Sequence, residues 1–342
     1  MYLNLLKSDV SLGLSSGKLT IKNTSEGKIT QEFPFGEVEG ISVFGQPSLS
    51  TPLLRGCMKN AITVSFYTEN GHYFGRLAPS EHVDPIKQKM QLCASDDPEF
   101  SLVLSKKIVQ AKIYNSICLL KSKNEIYDFN DSDLFALHHS LDNINGAHSI
   151  SQVMGFEGNA AKAYFSCLSK LLYNDEFRFR GRSSHPPKDP FNSMLSYGYS
   201  LLYRNIIGSI ESSGLHPYFA FLHKIRPGHA ALASDLIEEW RAFLVDRVVL
   251  DFVNNEEVFI TDFKDSKNGS FYMEPELMKK LTREFGDVFV QTETYFMTEG
   301  DKRRYGFQVA LQKKLNSLFS AIEGNDPNLY RPFIWSRDYS HE

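Results

Sequence analysis

Three stretches of the chain each place a metal-competent side chain among residues that fix its surroundings. They are GFEGNAAKAYF around Glu157, GLHPYFAFLHKIRPG around His223, and ASDLIEEWRAFLVDR around Asp235, Glu238 and Glu239. Glu157 stands between two glycines at the start of a strongly periodic helix, where missing side chains leave room for a ligand. His223 closes an apolar, aromatic run from Tyr218 to Leu222 and precedes Lys224 and Arg226, so an imidazole at a core edge meets a basic strip. Asp235 and Glu238 open a helix and, three residues apart, share one side of it. Glu239 lies one residue further round and is expected to be solvated, with Arg241 as an ion-pair partner for the acidic turn. Singly, each has an ordinary use: a helix-start acid, a core histidine, an acidic first turn. Together, carboxylate oxygens and an imidazole suit Mg²⁺ or Mn²⁺ with open water positions. Such a cation polarises a phosphate and helps deprotonate an attacking hydroxyl or water.

Between the first two stretches lies EFRFRGRSSHPPKDPFN. Arg178, Arg180 and Arg182 alternate with Phe177 and Phe179, so an extended backbone would show guanidiniums on one face and rings on the other, an arrangement that can clamp phosphates. Lys302, Arg303 and Arg304 form a weaker basic patch. The whole chain, with 37 Lys and Arg against 41 Asp and Glu, carries a formal charge of -4. That excludes a protein that coats nucleic acid by bulk positive charge and confines any DNA contact to local patches. The four cysteines form no Cys-x-x-Cys pair, which argues against a zinc grip or a disulfide-exchange motif. No stretch has the run of apolar residues that a membrane span needs, so a soluble, cytoplasmic protein is expected.

The elements that must position these groups differ along the 342 residues. The front reads as strands: SLGLSSGKLTIKN alternates apolar and polar side chains, and Ile62–Tyr67 with Tyr73–Leu77 forms a hairpin about Asn70-Gly71. One short helix interrupts them, with Thr51 as cap and Pro52 at its first position. A short helix near Pro85–Leu92 is followed by the breaker ASDDPEF. Beyond it the apolar spacing turns helical, as in Leu102, Ile108, Ile113 and Leu120, or Ala160, Tyr164, Leu168 and Leu171. The expectation is an α+β chain: a β-sandwich-like domain over 1–82, a linker with a short helix over 83–100, and an almost entirely helical domain over 101–342 that carries the metal site.

The order and spacing of four motifs, GFEGNAAKAYF, RGRSSHPPKDPFNSMLSYGYSLLYRNI, SSGLHPYFAFLHK and ASDLIEEWRAFLVDRVVL, resemble the CRISPR-associated integrase and endonuclease family of the adaptation module. The likeness is strong from Gly155 to Leu250 and architectural elsewhere. It implies that Glu157, His223 and Glu238 are the catalytic metal ligands, with Asp235 as an auxiliary acid one turn earlier. The Glu238-Glu239 doublet leaves open which carboxylate reaches the metal. Asn192 and Tyr199 fall on the helix behind the site and take structural roles. Arg178, Arg180, Arg182, Lys188, Lys224 and Arg241 fall near DNA. The resemblance further implies a bound Mg²⁺ or Mn²⁺ and a homodimer formed through the β-rich domain. It also implies a small ferredoxin-like partner protein, and as substrates double-stranded DNA fragments and CRISPR repeat DNA.

Overall fold

The computed structural model describes residues 2–5, 9–38, 40–67, 73–77, 84–123, 125–174, 176–183, 186–266, 269–290, 297–298 and 305–335. Strands come first and helices later, and the chain forms two compact units, Met1–Val83 and Asp84–Glu342.

The first unit contains β1 (Tyr2–Leu5), β2 (Val10–Ser15), β3 (Lys18–Asn23), β4 (Ile29–Pro34), β5 (Gly40–Phe44), β6 (Ser48–Leu49), α1 (Thr51–Lys59), β7 (Thr63–Tyr67) and β8 (Tyr73–Leu77). Two four-stranded sheets result, ordered β1-β5-β7-β8 and β4-β3-β2-β6. The β2–β3 hairpin turns on Ser16 and Gly17, both at positive φ, which matches the right-handed twist of the flanking strands. Asn70-Gly71, the turn expected between β7 and β8, lies outside the described residues, although those two strands pair antiparallel. Leu12 and Leu19 from one sheet, Ile41 and Val64 from the other, and Leu53 and Cys57 of α1 bury into one apolar cluster. The cap of α1 is Ser50 rather than Thr51: its hydroxyl accepts from the Leu53 amide at 3.3 Å.

The second unit begins with α2 (Pro85–Asp96) and α3 (Pro98–Ser122). The short helix expected near Pro85–Leu92 is α2, which runs on to Asp96. Asp97 serves as a corner, ending α2 and capping α3 through the amides of Glu99 and Phe100. Gln91 of α2 is fully buried, its amide nitrogen donating to the carbonyls of His216 and Phe219, so α2 is bound into the helical unit. There follow α4 (Asp131–Asn143), α5 (Ile150–Ser169), α6 (Pro190–Ser212), α7 (Ala231–Ile237), a π-helical segment Ala242–Asp246, and α8 (Arg247–Asn254). Two strands, β9 (Phe263–Asp265) and β10 (Phe271–Met273), precede α9 (Pro275–Val290). The described chain closes with β11 (Met297–Thr298), α10 (Phe307–Glu323) and β12 (Phe333–Ile334). These antiparallel pairs of two and three residues are short exceptions in a unit that is mostly helical, as expected; they are too short to show an alternating pattern in the sequence.

Long α3 runs through the unit and packs against α2, α4, α5, α7 and the π-helical segment. Its packing against α5 and against the region after α7 brings together residues distant in sequence. α6 approaches from the other side, and does so closely: a Cβ at Gly198 would stand 2.5 Å from Phe285 of α9 and 2.6 Å from Val245 of the π-helical segment. Any larger residue there would push the π-helical segment away from α6.

Candidate active site

Glu157 sits inside α5, two turns after the Ser149 cap, rather than at a helix start. Its flanking glycines face open space: a Cβ at Gly155 or Gly158 would meet nothing within 4 Å. Glu238 lies where α7 gives way to a turn just before the π-helical segment, and a π insertion of this kind re-aims the side chains around it. Between these two carboxylates stands a residue of α3. The Lys112 ammonium bridges Oε1 of Glu157 and Oε2 of Glu238, the latter at 2.5 Å. Arg241 grips Glu238 from its other side, with Nη1 at 2.8 Å from Oε1 and 3.0 Å from Oε2. Burial pushes the Glu238 carboxyl pKa upward, but the charges of Arg241 and Lys112 outweigh it and hold the group at about 2. Glu238 is therefore an anion throughout the physiological range. Two carboxylates, one ammonium and one guanidinium sum to zero charge.

His223 is fixed by Asp235, which is fully buried. Asp235 Oδ2 accepts the amides of Phe221 at 2.7 Å and Leu222 at 3.0 Å, and its Oδ1 accepts the His223 amide at 2.9 Å and the His223 ring Nδ1 at 2.8 Å. Asp235 thus positions the imidazole and wraps the preceding backbone around one carboxylate. With Nδ1 donating, the neutral ring keeps its lone pair on Nε2, the arrangement common to metal-binding histidines. Burial lowers the His223 pKa, while the Asp235 hydrogen bond and the charges of Asp235 and Glu238 raise it further, for a net upward shift. Among the described residues, however, no three His, Cys, Asp or Glu side chains stand close enough to form a ready-made cage for a metal. Glu157 and Glu238 converge on Lys112, while the polar partner of the His223 ring is Asp235.

Glu239 is not solvated as expected. It is fully buried and points away from Glu238, accepting from the Tyr330 hydroxyl at 2.5 Å and the Phe333 amide at 2.6 Å and pairing with the buried ammonium of Lys314. That commits Glu239 to tying β12 and α10 to the helix end and leaves Glu238 as the member of the doublet that faces Glu157.

The basic residues divide. Phe177 and Phe179 are buried while Arg178 and Arg180 are exposed, as the alternation requires. Arg182 departs from it. Gly181 has φ +127°, a turn that side-chain-bearing residues avoid, and Arg182 swings inward. There it donates to Asn192 Oδ1 at 2.9 Å and Ser196 Oγ at 3.0 Å, over the Tyr199 ring. Arg241 lies over the same ring at 4.2 Å and is held by Glu238, so both guanidiniums are half-buried against Tyr199, unlike Arg178 and Arg180. Lys188 and Lys224 are exposed. Lys302, Arg303 and Arg304 lie outside the described residues.

Residues 3–287 match the family model described as CRISPR associated protein Cas1. Over 318 residues the chain is 39% identical to the CRISPR-associated endonuclease Cas1 of Mycobacterium tuberculosis, covering 93% of this chain and 92% of that protein. The chain belongs to the Cas1 family. Two solved structures share its fold. A casposase bound to integration product has a TM-score of 0.79 and 24% identity, covering 95% of this chain and 91% of that one. A Cas6-RT-Cas1–Cas2 complex has a TM-score of 0.79 and 22% identity, covering 98% of this chain and 36% of its own.

Sequence reasoning passes over Asp246 and Lys112 in this Cas1-family chain, while Asn192 and Tyr199 take the structural roles expected of them. Asp246, 1% exposed, receives hydroxyls from Tyr164 at 2.7 Å and from Tyr199, and burial raises its pKa. Asn192 pins residues 181–183 through Gly181, Ser183 and Arg182. Lys112 itself carries one sequence signal, a lone cation among the apolar positions Ile108, Val109, Ile113 and Ile117 of α3. Asp235→Ala is expected to strand three backbone amides, each costing about 1–3 kcal/mol, and so to lower stability by on the order of 3 kcal/mol or more. Hydrogen exchange should report weaker protection at Phe221, Leu222 and His223, and unchanged protection there would contradict the positioning role.

Proposed function

We propose that this chain is a metal-dependent DNA endonuclease and integrase of CRISPR adaptation, with Glu157, His223 and Glu238 as the catalytic site. The observation that carries the reading is the convergence of Glu157 and Glu238 on the single positive charge of Lys112, a stand-in for a cation. The donor set fits Mg²⁺ or Mn²⁺: two carboxylates and an imidazole, with no cysteine among them. Glu157 and Glu238 would hold it, with Nε2 of His223 as the nitrogen donor. When bound, it supplies charge neutralisation at a phosphate oxygen and acidifies the attacking hydroxyl or water.

In the strand-transfer reaction the 3′-hydroxyl of a captured fragment attacks a phosphodiester at the edge of a CRISPR repeat. A new P–O bond forms as the old one breaks, and no covalent link to the enzyme is needed. With water in place of the hydroxyl the same chemistry cuts DNA. The protein contributes fixed charges and alignment. Asp235 keeps the imidazole oriented, Arg241 keeps Glu238 ionised, and the exposed Arg178, Arg180, Lys188 and Lys224 would steady the phosphate backbone in line for attack. The chain's partners would be fragment and repeat DNA, a second copy joined through the β-rich unit, and a small ferredoxin-like adaptation protein. Support comes from the endonuclease name of the 39% identical relative, together with the casposase and Cas1–Cas2 neighbours.

Glu157→Ala, His223→Ala and Glu238→Ala should each lower Mn²⁺-dependent strand transfer by at least about 100-fold, because several kcal/mol of charge stabilisation disappears at about 1.4 kcal/mol per tenfold. Full activity in a folded Glu157→Ala protein would refute the assignment. Replacing Arg178 and Arg180 with alanine should flatten the salt dependence of DNA binding by roughly 0.9 log units per log unit of salt for each phosphate that is no longer neutralised. An unchanged slope would remove that stretch from the DNA surface.

A further inference from the structure

Lys112 has no counterpart among the groups that the reaction consumes or orients, yet it occupies the centre of the site. We propose that Lys112 is an internal counter-ion that holds Glu157 and Glu238 together in the metal-free protein and must be displaced when a divalent cation binds, so that it sets the metal affinity of the site. The proposal rests on the metal reading of Glu157, His223 and Glu238 and adds a regulator to it.

The geometry leaves little alternative. One ammonium forms ion pairs with both carboxylates at once, and it reaches them from a third helix, α3, whereas the acids come from α5 and the end of α7. Side-chain exposures of 15% for Lys112, 24% for Glu157 and 7% for Glu238 leave little water to screen the three charges. With Arg241 fixed on Glu238, the cluster is neutral while Lys112 is in place. A divalent ion on the same oxygens would stand beside the ammonium, and two cations cannot share those acceptors without strong repulsion. Lysine suits displacement in a way that arginine does not: its charge is a compact point on a flexible stem, held by no planar fork. Arg241, whose Nη1 donates to both oxygens of Glu238 and whose guanidinium is also held over the Tyr199 ring, is the cation that stays.

The test uses the full chain and Mn²⁺ binding measured by calorimetry. Lys112→Met should bind Mn²⁺ at least tenfold more tightly than the parent and should melt at a lower temperature without metal; equal or weaker binding would overturn the proposal. Glu157→Ala and Glu238→Ala separate the two readings. If they bind Mn²⁺ as the parent does, the metal site itself is misassigned; if they lose binding while Lys112→Met leaves affinity unchanged, only the role of Lys112 fails. A measurement on the unaltered protein guards against a misfolded variant. Amine acetylation read by mass spectrometry should rise several-fold at Lys112 on adding Mn²⁺, relative to Lys170, whose partner Asp133 lies elsewhere on the surface. Unchanged or reduced labelling at Lys112 would likewise overturn the displacement.

Discussion

Two ionised carboxylates cannot face one another in a half-buried cleft without positive charge beside them. Like charges about 4 Å apart repel by roughly 4 kcal/mol at an effective dielectric of about 20, a large fraction of the net stability of a domain. In this chain Lys112 and Arg241 supply the compensation, and the helices are arranged to let them. α3 delivers the ammonium, α5 delivers Glu157, and the irregular turn after α7 aims Glu238 at both. The same requirement that stabilises the fold makes the place a natural seat for a hard cation, so structure and chemistry share one constraint.

The segment from Asp235 to Asp246 shows how one short stretch divides its acids among different tasks. Asp235 wraps the backbone before His223, Glu238 faces the site, Glu239 anchors β12 through Tyr330 and Phe333, and Asp246 gathers the hydroxyls of Tyr164 and Tyr199. All four are buried, and each is satisfied by different partners. Removing a partner from a buried acid of this kind is costly, which makes the surrounding helices rigid supports for the groups that line the site. Trp240 stacks on Phe333 with ring centroids 4.1 Å apart.

Much of this is legible in the residues. The β-rich front, the helical remainder, the buried run of Ala160, Tyr164, Leu168 and Leu171, and the exposed Arg178 and Arg180 follow from apolar spacing, which reports which face meets the core. Spacing also brings Asp235 and Glu238 to one side of a helix. Other features depend on interactions between distant segments, which spacing does not encode. The fate of Glu239 is decided by Lys314, Tyr330 and Phe333, between 75 and 94 residues away, and by a π-helical insertion that shifts the angular register. Arg182 leaves the exposed row because of one backbone angle at Gly181. The glycines flanking Glu157 suggest a helix start, but both lie inside α5, where each costs the helix about 1 kcal/mol relative to alanine, and the cap is Ser149.

Diffraction from crystals of the full chain soaked in Mn²⁺, with anomalous scattering recorded at the manganese edge, tests the central claim most directly. One strong peak is expected, bounded by oxygens of Glu157 and Glu238 and by Nε2 of His223 at about 2.0 to 2.4 Å, with the Lys112 ammonium moved off the two carboxylates. A map with no peak there, or with manganese bound elsewhere while Lys112 still bridges both acids, would contradict it.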